Sequence, residues 1–123
     1  MTALDTHPDD AYDNDRKHVF HSWSAQAALN PAVVTRASGS EFWTQDGTRY
    51  LDFSSQLVNV NIGHQHPKLV EAIKEYADKL CTVAPFHAND ARSEAARLIV
   101  EAAATNIDRC DLDMVFFTNG GAE

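Results

Sequence analysis

Met114-Val115-Phe116-Phe117-Thr118-Asn119-Gly120-Gly121-Ala122-Glu123 decides how the rest of the sequence is understood. Its short continuous apolar run, Met114–Phe117, has the composition of a strand buried within a parallel sheet. The glycine pair permits a close backbone approach. A helix opening at Ala122 would aim free N–H groups and its positive dipole end at an anion. Strand, glycine turn and helix start are how a phosphate cradle begins. The plain alternative is a tight strand-to-helix turn that binds nothing, and a lone glycine pair does not separate the two. The pattern is neither a Walker A loop nor G-x-G-x-x-G. A helix begun at Ala122 still needs packing partners, so the sequence is expected to be the front part of a longer protein.

Upstream, Cys81–Asn89 reads as a loop followed by a helix capped by Asn89 or Asp90, with Ala91, Ala95, Leu98, Ile99 and Ala102 as its buried stripe. Before the loop, Pro67 suits the first position of a helix. Leu69, Val70, Ile73, Tyr76, Ala77 and Leu80 then recur at helical spacing, with lysines mostly opposite. Further back, Asp46-Gly47 lies between Glu41–Gln45 and Thr48–Phe53, a strong hairpin signal. With Ala32–Ala37 these segments predict a three-strand meander across residues 32–53. Ser54–Ile62 is a connection, and His18–Leu29 is either a short helix or an arm. The order of meander, helix, helix, strand and glycine turn points to an α/β fold whose sheet has only begun.

Composition narrows the function classes. The 123 residues carry a net charge of −8, which disfavours nucleic acid and anionic membrane as partners. Asp5, Asp9, Asp10, Asp13 and Asp15 crowd the first fifteen residues, which hold no Lys or Arg; residues 1–17 are therefore expected to be a disordered acidic tail. Cys81 and Cys110 have no metal-site spacing and read as reduced thiols, and the start of the chain is acidic where a targeting peptide would be basic. A cytoplasmic location is expected. His64 and His66 would share one face of an extended segment, but His87 is the only nearby third ligand, so bonding to backbone at the helix start is preferred over metal. Asp46 and Asp52 read as structural rather than as a catalytic pair. Aromatic residues such as Trp23, Trp43 and Phe86 line either a pocket or a core.

Three segments together resemble one family. Gly39-Ser40-Glu41-Phe42-Trp43-Thr44-Gln45-Asp46-Gly47-Thr48-Arg49-Tyr50-Leu51-Asp52-Phe53 looks like the opening hairpin of the class III aminotransferases, which depend on pyridoxal phosphate. Val60-Asn61-Ile62-Gly63-His64-Gln65-His66-Pro67 and Phe116-Phe117-Thr118-Asn119-Gly120-Gly121-Ala122-Glu123 follow in that family's order. The resemblance covers nearly everything after the acidic tail, but only the opening section of the family's longer chain.

It implies an α/β piece of a fold type I pyridoxal-phosphate transferase, dimeric when complete. Residues 18–60 would form the arm and meander of the small domain, and residues 61–123 the start of the large one. Gly120, Gly121 and Ala122 match the positions whose backbone holds the cofactor phosphate, although the family usually has Ser where Gly120 stands. Trp23 matches an aromatic wall of the substrate pocket in related amine transaminases. Val58 stands where many of them carry a large aromatic, and Phe86 is a third wall; for all three, plain core packing is the competing reading. The implied reaction moves an amino group from an amine or amino acid to a 2-oxo acid. Lys17, Lys68, Lys74 and Lys79 sit in the tail or on a helix face, so none is suited to carry the cofactor. The family's catalytic lysine would fall after Glu123, and the chain alone is expected to be inactive and only marginally stable. The competing readings are a non-catalytic dimerisation or interaction segment, and an aminomutase of the same family.

Overall fold

The computed structural model describes residues 10–120, so Gly121 and Ala122 of the expected phosphate cup lie outside the described residues. β1 (Val34–Ser38), β2 (Glu41–Thr44) and β3 (Arg49–Leu51) form one antiparallel sheet in sequential order, the expected meander. β2 and β3 pair Phe42 with Tyr50 and Trp43 with Arg49. The Phe42 and Tyr50 rings stack 5.2 Å apart on one face. On the other, the Arg36 guanidinium lies 3.8 Å over the Trp43 ring, an arrangement favoured by the ring quadrupole. A bulge between Val34 and Arg36 shifts the β1–β2 register.

The hairpin turn closes as its residues require. Gly47 takes a φ of +83°, open to glycine without penalty. The Asp46 carboxylate accepts from the Thr44 hydroxyl at 2.6 Å and from the Thr48 N–H at 3.0 Å. Those bonds, the Thr44 one foremost, hold the Asp46 carboxyl below its ordinary pKa. Asp46 is a turn residue.

The expectation of disorder over residues 1–17 is corrected for its described part, since α1 spans Ala11–His18. A charge count misses that the charges are ordered along the axis. Asp13 lies in the first turn and Arg16, Lys17 and His18 in the last, each sign opposite the helix dipole end it meets. Tyr12 and Arg16 also anchor the helix, donating to Asn30 Oδ1 at 2.9 Å and to the Gln26 carbonyl at 2.6 Å.

α2 (Ser55–Val58) is a single distorted turn, and α3 (Pro67–Lys79) begins at the expected proline. α4 spans Asp90–Asn106, with the Asn89 side chain accepting from the Arg92 N–H at 2.9 Å. The chain divides into two units between Glu75 and Tyr76, within α3.

Met114–Phe117, expected as a strand with no sheet around it in this chain, joins no ladder among the described residues, where the only sheet is the meander. Instead, Asp113–Val115 lines a hollow with Ala96, Val100 and Glu101 of α4. Of the stripe expected on α4, Ala95 is half-buried whereas Ala91, Leu98, Ile99 and Ala102 are exposed; Ala96, Val100 and Ala103 are half-buried beside Ala95. Among the described residues no hydrophobic side chain is fully buried.

Candidate functional site

Trp23 sits at the tip of a turn closed by a single side chain. Gln26 Oε1 accepts from the His21 N–H at 3.1 Å, and Gln26 Nε2 donates to the carbonyls of His21 at 2.5 Å and Ser24 at 2.9 Å. The His21 ring is 2.8 Å from Asp15 Oδ1 on α1. Trp23 has a φ of +59° and is 93 % exposed.

Val58 ends α2 with a φ of +57° and is 78 % exposed. Ser55 and Gln56 also have positive φ, and Gln56 combines φ 59° with ψ −108°. Side chains with a Cβ avoid such backbone, and strain persists only where surrounding contacts over-determine it. Asp52 supplies those contacts. Its carboxylate accepts from the Gln56 N–H at 2.9 and 3.1 Å and from Gln56 Nε2 at 2.9 Å. His64 Nε2 approaches Asp52 Oδ2 to 2.6 Å. The Gln56 backbone bond is foremost among the causes that depress the Asp52 carboxyl. An ionised carboxylate only accepts, so in this contact His64 donates through an Nε2–H.

The backbone brings His64 to Asp52. Gly39 and His64 exchange two bonds, at 2.7 and 3.0 Å. Gly63 allows the approach, because a Cβ there would stand 3.2 Å from the Gly39 carbonyl oxygen. The preferred sequence reading of His64 is thereby corrected: its main chain bonds backbone, but its ring engages Asp52. His66 accepts through its carbonyl from the Leu69 and Val70 N–H groups, which starts α3.

In the second unit, Phe86 is 82 % exposed on a loop fastened from α4. The Arg92 guanidinium donates to the carbonyls of Pro85 and His87, and the Phe86 ring lies 4.5 Å from that of His87. Gly120 ends a bend in which the Thr118 hydroxyl donates to its carbonyl at 2.9 Å. Nothing lies within 4 Å of the position a Gly120 Cβ would take, as also at the turn glycines Gly39 and Gly47. Of the nominated residues, Trp23 and Val58 belong to the first unit, and Phe86 and Gly120 to the second. Asp52, His64 and Gln26 are additions from the structure. Asp52 and His64 lie within the motifs quoted above, whereas Gln26 has no local signal beyond its place after Trp23. An open cleft of about 530 Å³ between Tyr12, Asn30 and Pro31 on one side and Thr44, Asp46 and Tyr50 on the other contains no nominated residue.

Comparison with known proteins shows the family of the chain. The family described as Aminotransferase class-III matches residues 23–123. The acetylornithine aminotransferases of Methanopyrus kandleri and Agrobacterium fabrum are 36% and 38% identical over 76% and 78% of this chain, and 23% and 22% of their own lengths. Taurine:2-oxoglutarate aminotransferase from Bifidobacterium kashiwanohense, solved with PLP and glutamate, superposes on 99% of the chain and 26% of its own with a TM-score of 0.85 and 38% identity. An S-selective transaminase from Arthrobacter sp. covers 84% of this chain and 22% of its own, with a TM-score of 0.75 and 32% identity. The chain thus spans about a quarter of the length of the proteins it matches. By sequence and by fold, it belongs to the class III aminotransferases.

Proposed function

We propose that these residues are the N-terminal part of a transaminase that moves an amino group from an amine or amino acid to a 2-oxo acid with pyridoxal 5'-phosphate. The observation that carries this reading is the likeness, over nearly the whole chain, to an aminotransferase solved with PLP and glutamate. Residues 18–60 serve as arm and small-domain meander, and residues 61–123 as the start of the large domain. The complete protein is a cytoplasmic homodimer acting on small molecules.

Pyridoxal phosphate, when bound, supplies the electron sink for the exchange of the amino group. The backbone N–H groups of Gly120, Gly121 and Ala122 would hold its phosphate, a role supported by the place of these residues after Met114–Phe117 in the family's order of motifs. Trp23 and Val58 in the first unit, and separately Phe86 in the second, each offer an apolar surface to the organic part of the substrate. The four lysines are all exposed, and Lys79 is paired with Asp90. A proton-shuttling lysine needs a protected site that lowers its pKa, so the 123 residues alone are inactive.

Borohydride reduction of the purified chain with pyridoxal phosphate, followed by mass spectrometry, tests that last point. Scattered trace labelling is expected; a stoichiometric adduct at one lysine overturns it. For the reaction itself, the polypeptide carrying these residues with the family's remaining length should aminate pyruvate or 2-oxoglutarate. Failure across a panel of amines and amino acids, with cofactor bound, overturns the transaminase reading.

A further inference from the structure

We propose that Gln26 is a positioning residue that fixes the bearing of the Trp23 ring, and so helps set which substrates the pocket accepts. The specificity role rests on the proposed place of Trp23 in the substrate pocket; the clamp itself does not. Gln26 uses both ends of its carboxamide. The oxygen takes the His21 N–H, while the nitrogen reaches the His21 and Ser24 carbonyls, so the bonds span the turn that carries Trp23. The Gln26 main chain is fixed as well, because the Arg16 guanidinium on α1 donates to its carbonyl at 2.6 Å. His21, at the other end, is tied through its ring to Asp15.

Backbone strain supports the assignment. Trp23 holds a φ of +59°, which a residue with a Cβ avoids, and the half-buried Gln26 and His21 supply the contacts that keep it there. An aromatic whose backbone is locked offers contact area with less ordering entropy left to lose on binding. An amide is needed: a carboxylate at position 26 would set a second oxygen against two carbonyls and lose both donors.

Fluorescence tests this on the full-length protein carrying these residues. With every other tryptophan replaced by Phe, Trp23 is the only indole, and its anisotropy decay reports ring motion on the ps–ns scale. Gln26→Glu and Gln26→Ala should each enlarge the fast depolarising amplitude roughly twofold. With Trp43 as the sole indole instead, its decay should stay unchanged in both variants, and circular dichroism should show the same helix content. An unchanged Trp23 decay overturns the proposal, as does parallel loosening of Trp43, which would mark a general loss of structure. Transamination by the full-length protein separates the two levels. If Gln26→Glu frees the ring while KM values across a substrate panel stay put, the clamp stands and Trp23 is no pocket wall. If KM shifts selectively with kcat preserved, both stand.

Discussion

His64 Nε2 stands 2.6 Å from Asp52 Oδ2, with the two side chains only 14 % and 4 % exposed. This contact joins the end of β3 to the Gly39–His64 bridge, while the remaining lone pairs of Asp52 hold the strained α2 turn. One carboxylate therefore ties three segments that are separate in sequence. Removing it leaves the Gln56 N–H, the Gln56 amide and the His64 N–H without an acceptor, and orphaned donors are more damaging than a lost bond alone. Asp52→Ala should lower the thermal unfolding midpoint by several degrees, and Asp52→Asn, which keeps one acceptor oxygen, by less. Calorimetry or circular dichroism decides; equal midpoints for wild type and Asp52→Ala would remove Asp52 from this role.

The same carboxylate sets a pH dependence. The Asp52 carboxyl is held below the ordinary aspartate value of 3.8, first by the Gln56 backbone bond, and Asp46 is lowered by its bond from Thr44. For a group depressed in the folded state, stabilisation is complete above the unfolded pKa. It is lost as pH falls through the lower folded value. Urea midpoints should hold from about pH 6 to about pH 4 and then fall towards about pH 2. Asp52→Asn should flatten part of that fall, and an unaltered acid limb in this variant would contradict the assignment.

Val58 offers the opposite sign. A β-branched residue at a φ of +57° is an outlier, and its exposed side chain contributes little burial. Left-handed backbone costs a residue with a Cβ about 1–2 kcal/mol, partly offset because glycine gives up about 0.5–1 kcal/mol more in entropy. Val58→Gly should therefore stabilise the chain slightly, by up to about 1 kcal/mol. In the full-length enzyme it should raise KM, since the turn would lose both its strain and its apolar wall. A destabilised Val58→Gly chain would mean that the Val58 side chain packs where the structure shows it exposed.

What the sequence displays locally, the structure keeps. Pro67 starts α3, Asn89 caps α4 and Gly47 turns the hairpin, because each acts through its own φ or its own side chain within three or four residues. Asp52 and His64 were visible singly, yet their meeting depends on Gly39 pairing with His64, which no local pattern encodes. The order within α1 was hidden by counting its charges rather than placing them along the helix axis. Met114–Phe117 has the composition of a buried strand, but a strand exists only by its ladder, and the described residues provide no partner. For the same reason Trp23, Val58 and Phe86 were legible as apolar residues but not as exposed ones.

The α4 cap gives a prediction that needs no tertiary partner. The Asn89 side chain accepts from the Arg92 N–H, while Asp90 accepts from Ala91 N–H at 2.9 Å and pairs with Lys79. Replacing an Asn cap by Ala typically costs about 1 kcal/mol. Asn89→Ala should fall near that figure, with visible loss of helix signal and earlier amide exchange at Arg92 and Ser93. Exchange unchanged at both positions would show that Asp90 already caps the helix.

Gly63 and Gly47 provide a controlled comparison, because both hold positive φ, +86° and +83°. An added Cβ at Gly47 meets nothing within 4 Å, whereas at Gly63 it meets the Gly39 carbonyl oxygen at 3.2 Å. The Gly39 side of that contact is backbone already committed to the His64 bridge, so it cannot swing aside as a flexible side chain would. Gly47→Ala should cost about 1 kcal/mol, the strain of left-handed backbone alone. Gly63→Ala adds displacement of the bridge and, through it, of His64 from Asp52. Its cost should be roughly twice that of Gly47→Ala, accompanied by faster amide exchange at Gly39, His64 and Gln56. Equal costs with protected exchange at Gln56 would show that the α2 turn stands without the bridge, and that Asp52 holds it alone.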